Sequence, residues 1–365
     1  MNKCMLLLTL LLPISFLYAQ KLVDTGGRGY GQTSVNTAIF RTNSLVSHQN
    51  SQYIAFYDEE GYMVLGKRLL GSDNWTLCVT QHRGNVEDAH NVISIMVDGK
   101  GYLHVAFDHH DNPLHYCRSV RPGSLILEKP EPMIGQDEER VTYPGFYRLP
   151  DGDLLFVYRS GASGRGNLVL NRYETRSRRW HRLPITANNA EYAWQIPQGS
   201  ELINQTSMSA DRKGNPYIAG YWRDQGSDIP QYRLVWFDGN SWQQQQVAER
   251  KIPFSLSGGG TRMIPISRPQ LAIGEQGDRN IIYYLFRDEE RHSRVSLAKK
   301  NIGTKSDWEV IDLAGFTVDA WEPSFDTELW KEKQKLHIYV QRSSQGDGEK
   351  STDLEPQPVY VLEVE

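Results

Sequence analysis

The sequence predicts an all-β fold, on three observations. Six short runs of β-branched and aromatic residues recur at intervals of about 50 to 65 residues, and a second run of the same kind follows each one. Third runs often start at a tryptophan, as at Trp75, Trp180, Trp242 and Trp308. No stretch shows a helical period of useful length, and the 31 glycines are typical of a chain with many turns.

The strands can be placed in order along the chain. The first runs of the six units begin at Ile54, Leu103, Leu154, Tyr217, Ile281 and Leu336. The second runs cover residues 62–67, 114–118, 168–173, 232–237, 295–299 and 359–362. Turn signals such as Asp98-Gly99 and Asp151-Gly152 stand just before first runs and predict tight hairpins. Short strands repeated at this interval predict the blades of a β-propeller, and a β-sandwich with irregular insertions is the alternative.

The six readable units leave one segment unassigned. We expect residues from Lys21 to Asn50 to complete a seventh blade by pairing with the C-terminal strands, which would close the ring. Because a ring of blades does not divide, residues 20–365 are predicted to form a single domain despite their length.

The first 19 residues have the pattern of a signal peptide. Lys3 supplies a positive charge, residues 5–17 are almost wholly apolar, and Ala19 offers a small residue at the expected cleavage site. The apolar run is too short for a typical membrane-spanning helix, so we expect an exported protein, periplasmic or secreted. Two cysteines then remain, Cys78 and Cys117, and the sequence leaves open whether they pair.

Charge narrows the classes of partner. The chain has 40 Lys and Arg against 44 Asp and Glu, a formal net charge of −4, which argues against broad nucleic-acid binding. A local basic cleft can still bind an anionic ligand within such a chain.

Polar side chains collect where a propeller would bring strand ends together. The start of the innermost strand and the end of the second strand lie on the same face of a blade, so these residues should share one rim. They include His90, Tyr143, Asn204, Arg268, His109, His110 and Arg159. Arginine binds carboxylates and sulfates through two hydrogen bonds, and aromatic rings stack on sugar rings. The residues of this rim therefore predict a funnel-shaped binding site for an acidic sugar. The alternative is a rim that is polar only because it faces water.

Two histidine motifs carry the chemistry. Asp88-Ala-His90-Asn91 and Asp108-His109-His110-Asp111 should meet at one rim, and imidazoles beside carboxylates are suited to acid–base work near neutral pH. Metal ligation by His90, His109 and His110 is one alternative, and a purely structural role is another. In the next unit Tyr158 precedes Arg159, and a phenol beside a cation can act as a base.

These stretches resemble the BNR-repeat propellers that include ulvan lyases. The resemblance is strongest from about residue 87 to 173 and is carried by Asp88–Asn91, Val97–Gly99, Leu103–His110, Leu114–Tyr116, Tyr158–Gly161 and Leu170–Tyr173. It implies a seven-bladed propeller that cleaves a uronic-acid polysaccharide by β-elimination. It also implies that His90 and His110 are the paired active-site histidines, that Tyr158 is the catalytic tyrosine and that Arg172 faces the uronate. Tyr143 is a second candidate for the tyrosine.

The function expected from the sequence is therefore that of a polysaccharide lyase acting on an ulvan-like polymer. His109, Tyr143, Arg159, Asn204 and Arg268 would help to bind that anionic substrate beside Arg172. The chemistry needs no cofactor, although some relatives carry a structural metal held partly by Cys and His. A glycoside hydrolase for a rhamnose–glucuronate linkage and a non-catalytic glycan-binding propeller are the alternatives.

Overall fold

The part of the chain that the structure describes forms six antiparallel sheets. The computed structural model describes residues 19–184, 192–202, 207–256, 259–277, 279–304 and 306–364. The first strand, β1, is Gln20–Gly29. The first sheet follows it, in the order β2 (Leu45–His48), β3 (Ser51–Tyr57), β4 (Tyr62–Leu69) and β5 (Thr76–Arg83).

One strand crosses between the second and third sheets. The next strands are β6 (Ile93–Val97), β7 (Leu103–Phe107), β8 (His110–Asn112) and β9 (Tyr116–Arg118). The second sheet has the order β6-β7-β9, and β8 leaves it to join the third. The third sheet also contains β10 (Val141–Arg148), β11 (Leu154–Ala162), β12 (Arg165–Glu174) and β13 (Arg179–Arg182).

The remaining sheets repeat the same plan. The fourth sheet contains β14 (Ser207–Ala210), β15 (Pro216–Trp222), β16 (Gln231–Phe237) and β17 (Trp242–Gln246). The fifth contains β18 (Gln270–Gln276), β19 (Arg279–Phe286), β20 (Ser296–Asn301) and β21 (Glu309–Asp312). A 3-10 helix covers Glu289–Arg291, and helix α1 covers Thr327–Lys333. The last strands are β22 (Leu336–Val340) and β23 (Gln357–Val364).

The sixth sheet unites the two ends of the chain. β1 pairs with β23 from Gln20↔Val364 to Gly29↔Gln357, and β22 pairs with the other edge of β23. The expected pairing of the N-terminal segment with the C-terminal strands is confirmed. However, β1 is the third strand of this sixth sheet and not a strand of a separate seventh blade. The all-β propeller is thus confirmed with six blades, and a seventh blade is not confirmed among the described residues.

Apolar side chains from neighbouring blades pack against each other. One cluster joins the first sheet to the sixth, with Phe56 and Ile54 against Tyr339 and Val361. These side chains are at most 1% exposed, and full burial of a side chain of this size contributes about 1.5–3 kcal/mol. The core therefore lies between the blades and holds the ring closed at the β1–β23 sheet.

Two of the predicted hairpin turns touch each other. The Gly99 N–H donates to the Gly152 carbonyl at 2.8 Å. A Cβ on Gly152 would lie 2.7 Å from the Gly99 Cα, and Gly152 also has a φ of +85°. Both turns require glycine because the two backbones pack without room for a side chain.

The inner edges of the blades surround a central cavity of about 680 Å³. Residues of β10, β14 and β18 line it, and α1 contributes Trp330 and Lys331. Cys78 and Cys117 are both free thiols. The expected signal peptide lies almost wholly outside the described residues. No helix in the described part of the chain has the length and apolar character needed to cross a bilayer.

Candidate active site

The structure brings His90 and His110 together. β6 and β7 are antiparallel with Ile93 opposite Phe107, so the residues before β6 and after β7 emerge at the same end. There the two imidazoles stack, with ring centroids 4.0 Å apart and planes 18° from parallel. The structure thus places side by side the two histidines that the sequence singled out.

Asp88 binds both histidines. Its Oδ1 accepts a hydrogen bond from His90 Nδ1 at 2.8 Å, and its Oδ2 accepts one from His110 Nδ1 at 2.5 Å. The backbone N–H of His90 also donates to Oδ1, at 2.9 Å, which fixes the carboxylate beside the turn. An ionised carboxylate only accepts, so each Nδ1 carries a proton and each neutral ring keeps its lone pair on Nε2.

The electrostatic surroundings favour an ionised Asp88 beside a protonated His110. Burial alone would raise the pKa of Asp88, but the hydrogen bonds from His110 and His90 bring it well below its usual range. The hydrogen bond to Asp88 raises the pKa of His110, against an opposing effect of burial. The charges of Asp88 and Glu349 also raise this pKa, and that of Arg159 lowers it. His110 therefore holds a proton to higher pH than an ordinary histidine.

Aromatic rings form the floor below the histidines. The Phe40 ring stacks on His90 at 4.7 Å, and the Tyr143 ring lies 5.8 Å from His90 and 5.1 Å from Phe40. Tyr143 has a φ of +56° at an irregularity of β10 that shifts the register between Thr142 and Gly145. The left-handed backbone conformation costs a non-glycine residue on the order of 1–2 kcal/mol. At Tyr143 this conformation accompanies the direction of the side-chain ring, which faces His90.

The crossing strand β8 joins the second and third blades at the site. Thr142 pairs with His110 on one side and with Arg159 on the other. The Arg159 guanidinium lies 5.0 Å from the centre of the Tyr143 ring. The Arg159 Nε donates a hydrogen bond to the Gly161 carbonyl at 3.1 Å. The Arg159 guanidinium has no ion-pair partner in the described ranges. A half-buried guanidinium without a carboxylate partner is available to an anionic ligand.

Arg268 lies near the site but is occupied. Its Nε and a terminal nitrogen bind both oxygens of Glu322, at 2.8 and 2.6 Å. Its guanidinium lies 4.9 Å from the centre of the Phe40 ring. This buried pair supports the aromatic floor, and its charge is already compensated.

Two residues of the site were not predicted from the sequence. Glu349 Oε1 lies 3.5 Å from His90 Nδ1 and accepts hydrogen bonds from the backbone N–H and hydroxyl of Thr261. Glu349 follows the first run of the sixth unit, so its place in the repeat could have identified it. Phe40 gave no such signal, because it lies in a segment without strand periodicity.

Three predicted site residues lie elsewhere. Tyr158 is 1% exposed in the aromatic core, and burial raises its pKa to about 12. His109 is fully buried, its Nε2 accepts a hydrogen bond from the His115 backbone at 2.8 Å, and burial lowers its pKa to about 3. Arg172 forms ion pairs with Asp151 and Asp153.

Strand register separates Arg172 from the histidines. Arg172 pairs with Leu155 on β11. Leu155 lies four residues before Arg159, a separation of about 13 Å along the strand. The structure therefore does not bring Arg172, Tyr158 or His109 to the histidine pair. Asn204 lies outside the described residues.

One group of side chains has the geometry of the metal alternative. Within the described part of the chain, Asp88, His90 and His110 form the one group of three such side chains with ligand atoms within 4.8 Å of one another. Each Asp88 oxygen already accepts an imidazole N–H. The hydrogen bonds alone account for this arrangement.

Another cluster of metal-donor side chains lies between the first and second sheets. Cys117 Sγ lies 3.8 Å from His82 Nε2, and the buried Nδ1 of His115 makes no hydrogen bond. Thiolate and imidazole are the donors that zinc prefers. The ligand atoms of His82, His115 and Cys117 do not all lie within 4.8 Å of one another, so this cluster does not have the geometry of the structural metal site that the resemblance implies.

Comparisons with known proteins agree with this architecture. The model of a BNR repeat-containing family matches residues 51–183 and 181–250. A long-isoform ulvan lyase of Alteromonas sp is 26% identical in a match that covers 34% of this chain but only 17% of that protein.

Solved structures extend the likeness to nearly the whole chain. The polysaccharide lyase Uly1 superposes with a TM-score of 0.64 at 13% identity, covering 95% of this chain and 99% of that chain. An ulvan lyase of family PL25, also solved with bound -[GlcA(1-4)Rha3S]-, gives 0.58 at 12% identity, covering 93% and 95%. At these identities the likeness shows a shared fold.

Proposed function

The chain belongs to the BNR repeat-containing family, and on this basis we propose that it is a polysaccharide lyase that cleaves a uronic-acid-containing polymer by β-elimination. The observation that carries the proposal is the stacked pair of His90 and His110, bound by one carboxylate, beside a phenol and a guanidinium that has no carboxylate partner among the described residues. The polymer we propose is ulvan-like, with rhamnose–uronate linkages, as in the ligand solved with a protein of the same fold.

The reaction needs three functions from the protein. A base removes the proton on the carbon next to the uronate carboxylate, and its electron pair forms a double bond to the neighbouring carbon. The bond from that carbon to the glycosidic oxygen breaks, and an acid protonates the leaving oxygen. A cation must compensate the charge that grows on the carboxylate as the first proton leaves.

The site offers groups for each function. Arg159 has no carboxylate partner in the described ranges, so we propose that it binds the uronate with help from His110. We propose that Tyr143 takes the role expected for Tyr158, since its ring lies among Phe40, His90 and Arg159. Tyr143 and His90 then act as the acid and the base.

An absorbance assay tests the proposal. Addition of the protein to ulvan, heparin-like, pectic and gum polymers should produce an unsaturated uronate that absorbs in the ultraviolet, for at least one of them. His90→Ala and His110→Ala should each lower the rate by about 100-fold or more. Absence of new absorbance on every polymer would contradict the lyase.

The alternatives give different products in the same experiment. A glycoside hydrolase would release reducing sugar without absorbance, and a binding propeller would retain the polymer without product. Mass analysis of the products separates them, because elimination gives an end group lighter than hydrolysis by one water.

Export is part of the proposal. A polymeric substrate must be met outside the cytoplasm, and the apolar N-terminal segment has the form of a signal peptide. N-terminal sequencing of protein recovered from the periplasm or medium should begin at Gln20. Recovery of the uncleaved chain from the cytoplasm alone would contradict export.

A further inference from the structure

We propose that Asp88 is a positioning residue that fixes His90 and His110 as a pair, with a proton on Nδ1 of both rings and the lone pair of each neutral ring on Nε2. The catalytic consequence rests on the proposed function. The arrangement of protons is a property of the resting protein and can be measured without substrate.

The proton positions follow from the number of acceptor atoms. Asp88 uses one oxygen for each imidazole, at 2.8 and 2.5 Å, so both Nδ1 atoms act as donors. Neither Nε2 atom has a hydrogen-bond partner in the part of the chain that the structure describes. One carboxylate thus sets the same tautomer in both rings.

Stacking limits the pair to one extra proton. The ring centroids are 4.0 Å apart, and two imidazolium ions at this distance would repel each other while sharing one carboxylate. The positive charge that the first added proton brings therefore disfavours the addition of a second proton to the other ring.

The surroundings favour a proton on His110. Asp88 and Glu349 favour its charged form, and Arg159 opposes it. Glu349 also lies beside His90, with Oε1 3.5 Å from Nδ1. On β8 the neighbouring Asp111 is paired with Arg140, so these two charges largely cancel. The His110 side chain is also more exposed than that of His90, 37% against 12%, so its charge remains better solvated.

This division separates the catalytic roles. His90 keeps a free lone pair on Nε2 and is the base that accepts the proton from the sugar. His110 carries a positive charge and joins Arg159 at the uronate carboxylate. Tyr143 then remains as the donor to the leaving oxygen.

The resting protein gives the first test. Nitrogen NMR of the histidine side chains, assigned with His90→Gln and His110→Gln, should show a proton on Nδ1 of both rings. His110 should titrate above the range of an ordinary histidine. A proton on Nε2 instead of Nδ1 in either neutral ring would overturn the proposal.

Asp88→Asn gives the second test. The amide oxygen can accept from only one Nδ1, and the amide nitrogen must donate to the other, so one ring should change its tautomer. The His110 pKa should fall with the loss of the carboxylate charge. The rate should fall by about 100-fold or more, and the alkaline limb of the pH profile should move to lower pH.

Asp111→Asn is the matched control. Asp111 is a carboxylate on the same rim, and its contacts are with Arg140. The tautomers should not change. Unchanged tautomers and titration in a folded Asp88→Asn variant would overturn the positioning role. The expected NMR result together with no cleavage of any polymer would instead overturn the proposed function alone.

Discussion

At the scale of single residues, the site depends on which polar groups already have partners. Arg172 and Arg268 are bound to carboxylates, and Arg159 has none among the described residues. Tyr158 is sealed in the core, and Tyr143 faces a histidine. Residue type and repeat position predicted these five side chains equally well, and their partners decide which of them can meet a substrate.

The two tyrosines allow a matched comparison. Tyr143→Phe should lower the elimination rate by about 100-fold or more, because it removes the hydroxyl beside His90. Tyr158→Phe should leave the rate within a few-fold, since its phenol is buried and its pKa is raised to about 12. Steady-state absorbance kinetics measures both. The reverse order would return the catalytic role to Tyr158.

The arginines allow a second comparison. Arg159→Ala should raise KM and lower kcat together, with a loss of at least about 100-fold in kcat/KM, because it removes the cation proposed at the carboxylate. Arg172→Ala should change kcat/KM little and show its effect as a lower melting temperature, since its ion pairs hold the turn at Asp151 and Asp153. A large kinetic loss confined to Arg172→Ala would contradict this assignment.

At the scale of strands and turns, the sequence was informative wherever the pattern is local. Alternation and turn residues located the hairpins, and each tryptophan that opened a third run lies in or next to the predicted strand, as Trp242 does at the start of β17. The periodicity could not show that β8 leaves its own blade to pair with β10. That crossing places His110 beside Thr142 and Arg159, so the site depends on a non-local pairing.

The sequence pattern also did not predict the backbone conformation at the site. The positive φ of Tyr143 is unusual for a tyrosine, and no neighbouring residue announces it. The buried position of Tyr158 was partly readable, because β11 alternates buried and less buried residues and Tyr158 falls on the buried side with Phe156.

The paired turns give a prediction about stability. Gly152→Ala should destabilise the protein by about 2–4 kcal/mol, because a Cβ there combines a positive φ with a contact of 2.7 Å to Gly99. Gly71→Ala is the control, with a φ of +83° and nothing within 4 Å of the added Cβ, and should cost about 1 kcal/mol. Denaturant unfolding measures both, and equal losses would show that the contact between the turns is unimportant.

At the scale of the whole molecule, the ring is closed by hydrogen bonds between its two ends. Val23 on β1 is 3% exposed opposite Val361, and its neighbour Leu22 is 41% exposed. Val23→Asp should cost about 3 kcal/mol or more by placing an unpaired charge in the seam, and Leu22→Asp should cost under about 1 kcal/mol. Chemical denaturation with both variants checks the closure, and similar values for the two would argue against it.

The β1–β23 seam also determines when this protein can finish folding. The partner of the earliest strand is the final one described, so the last sheet must wait for almost the entire polypeptide to be synthesised. Until then β1 is an open edge that another chain could pair with. Premature termination ahead of residue 357 would thus yield an incomplete ring prone to aggregation, however well the earlier blades had formed.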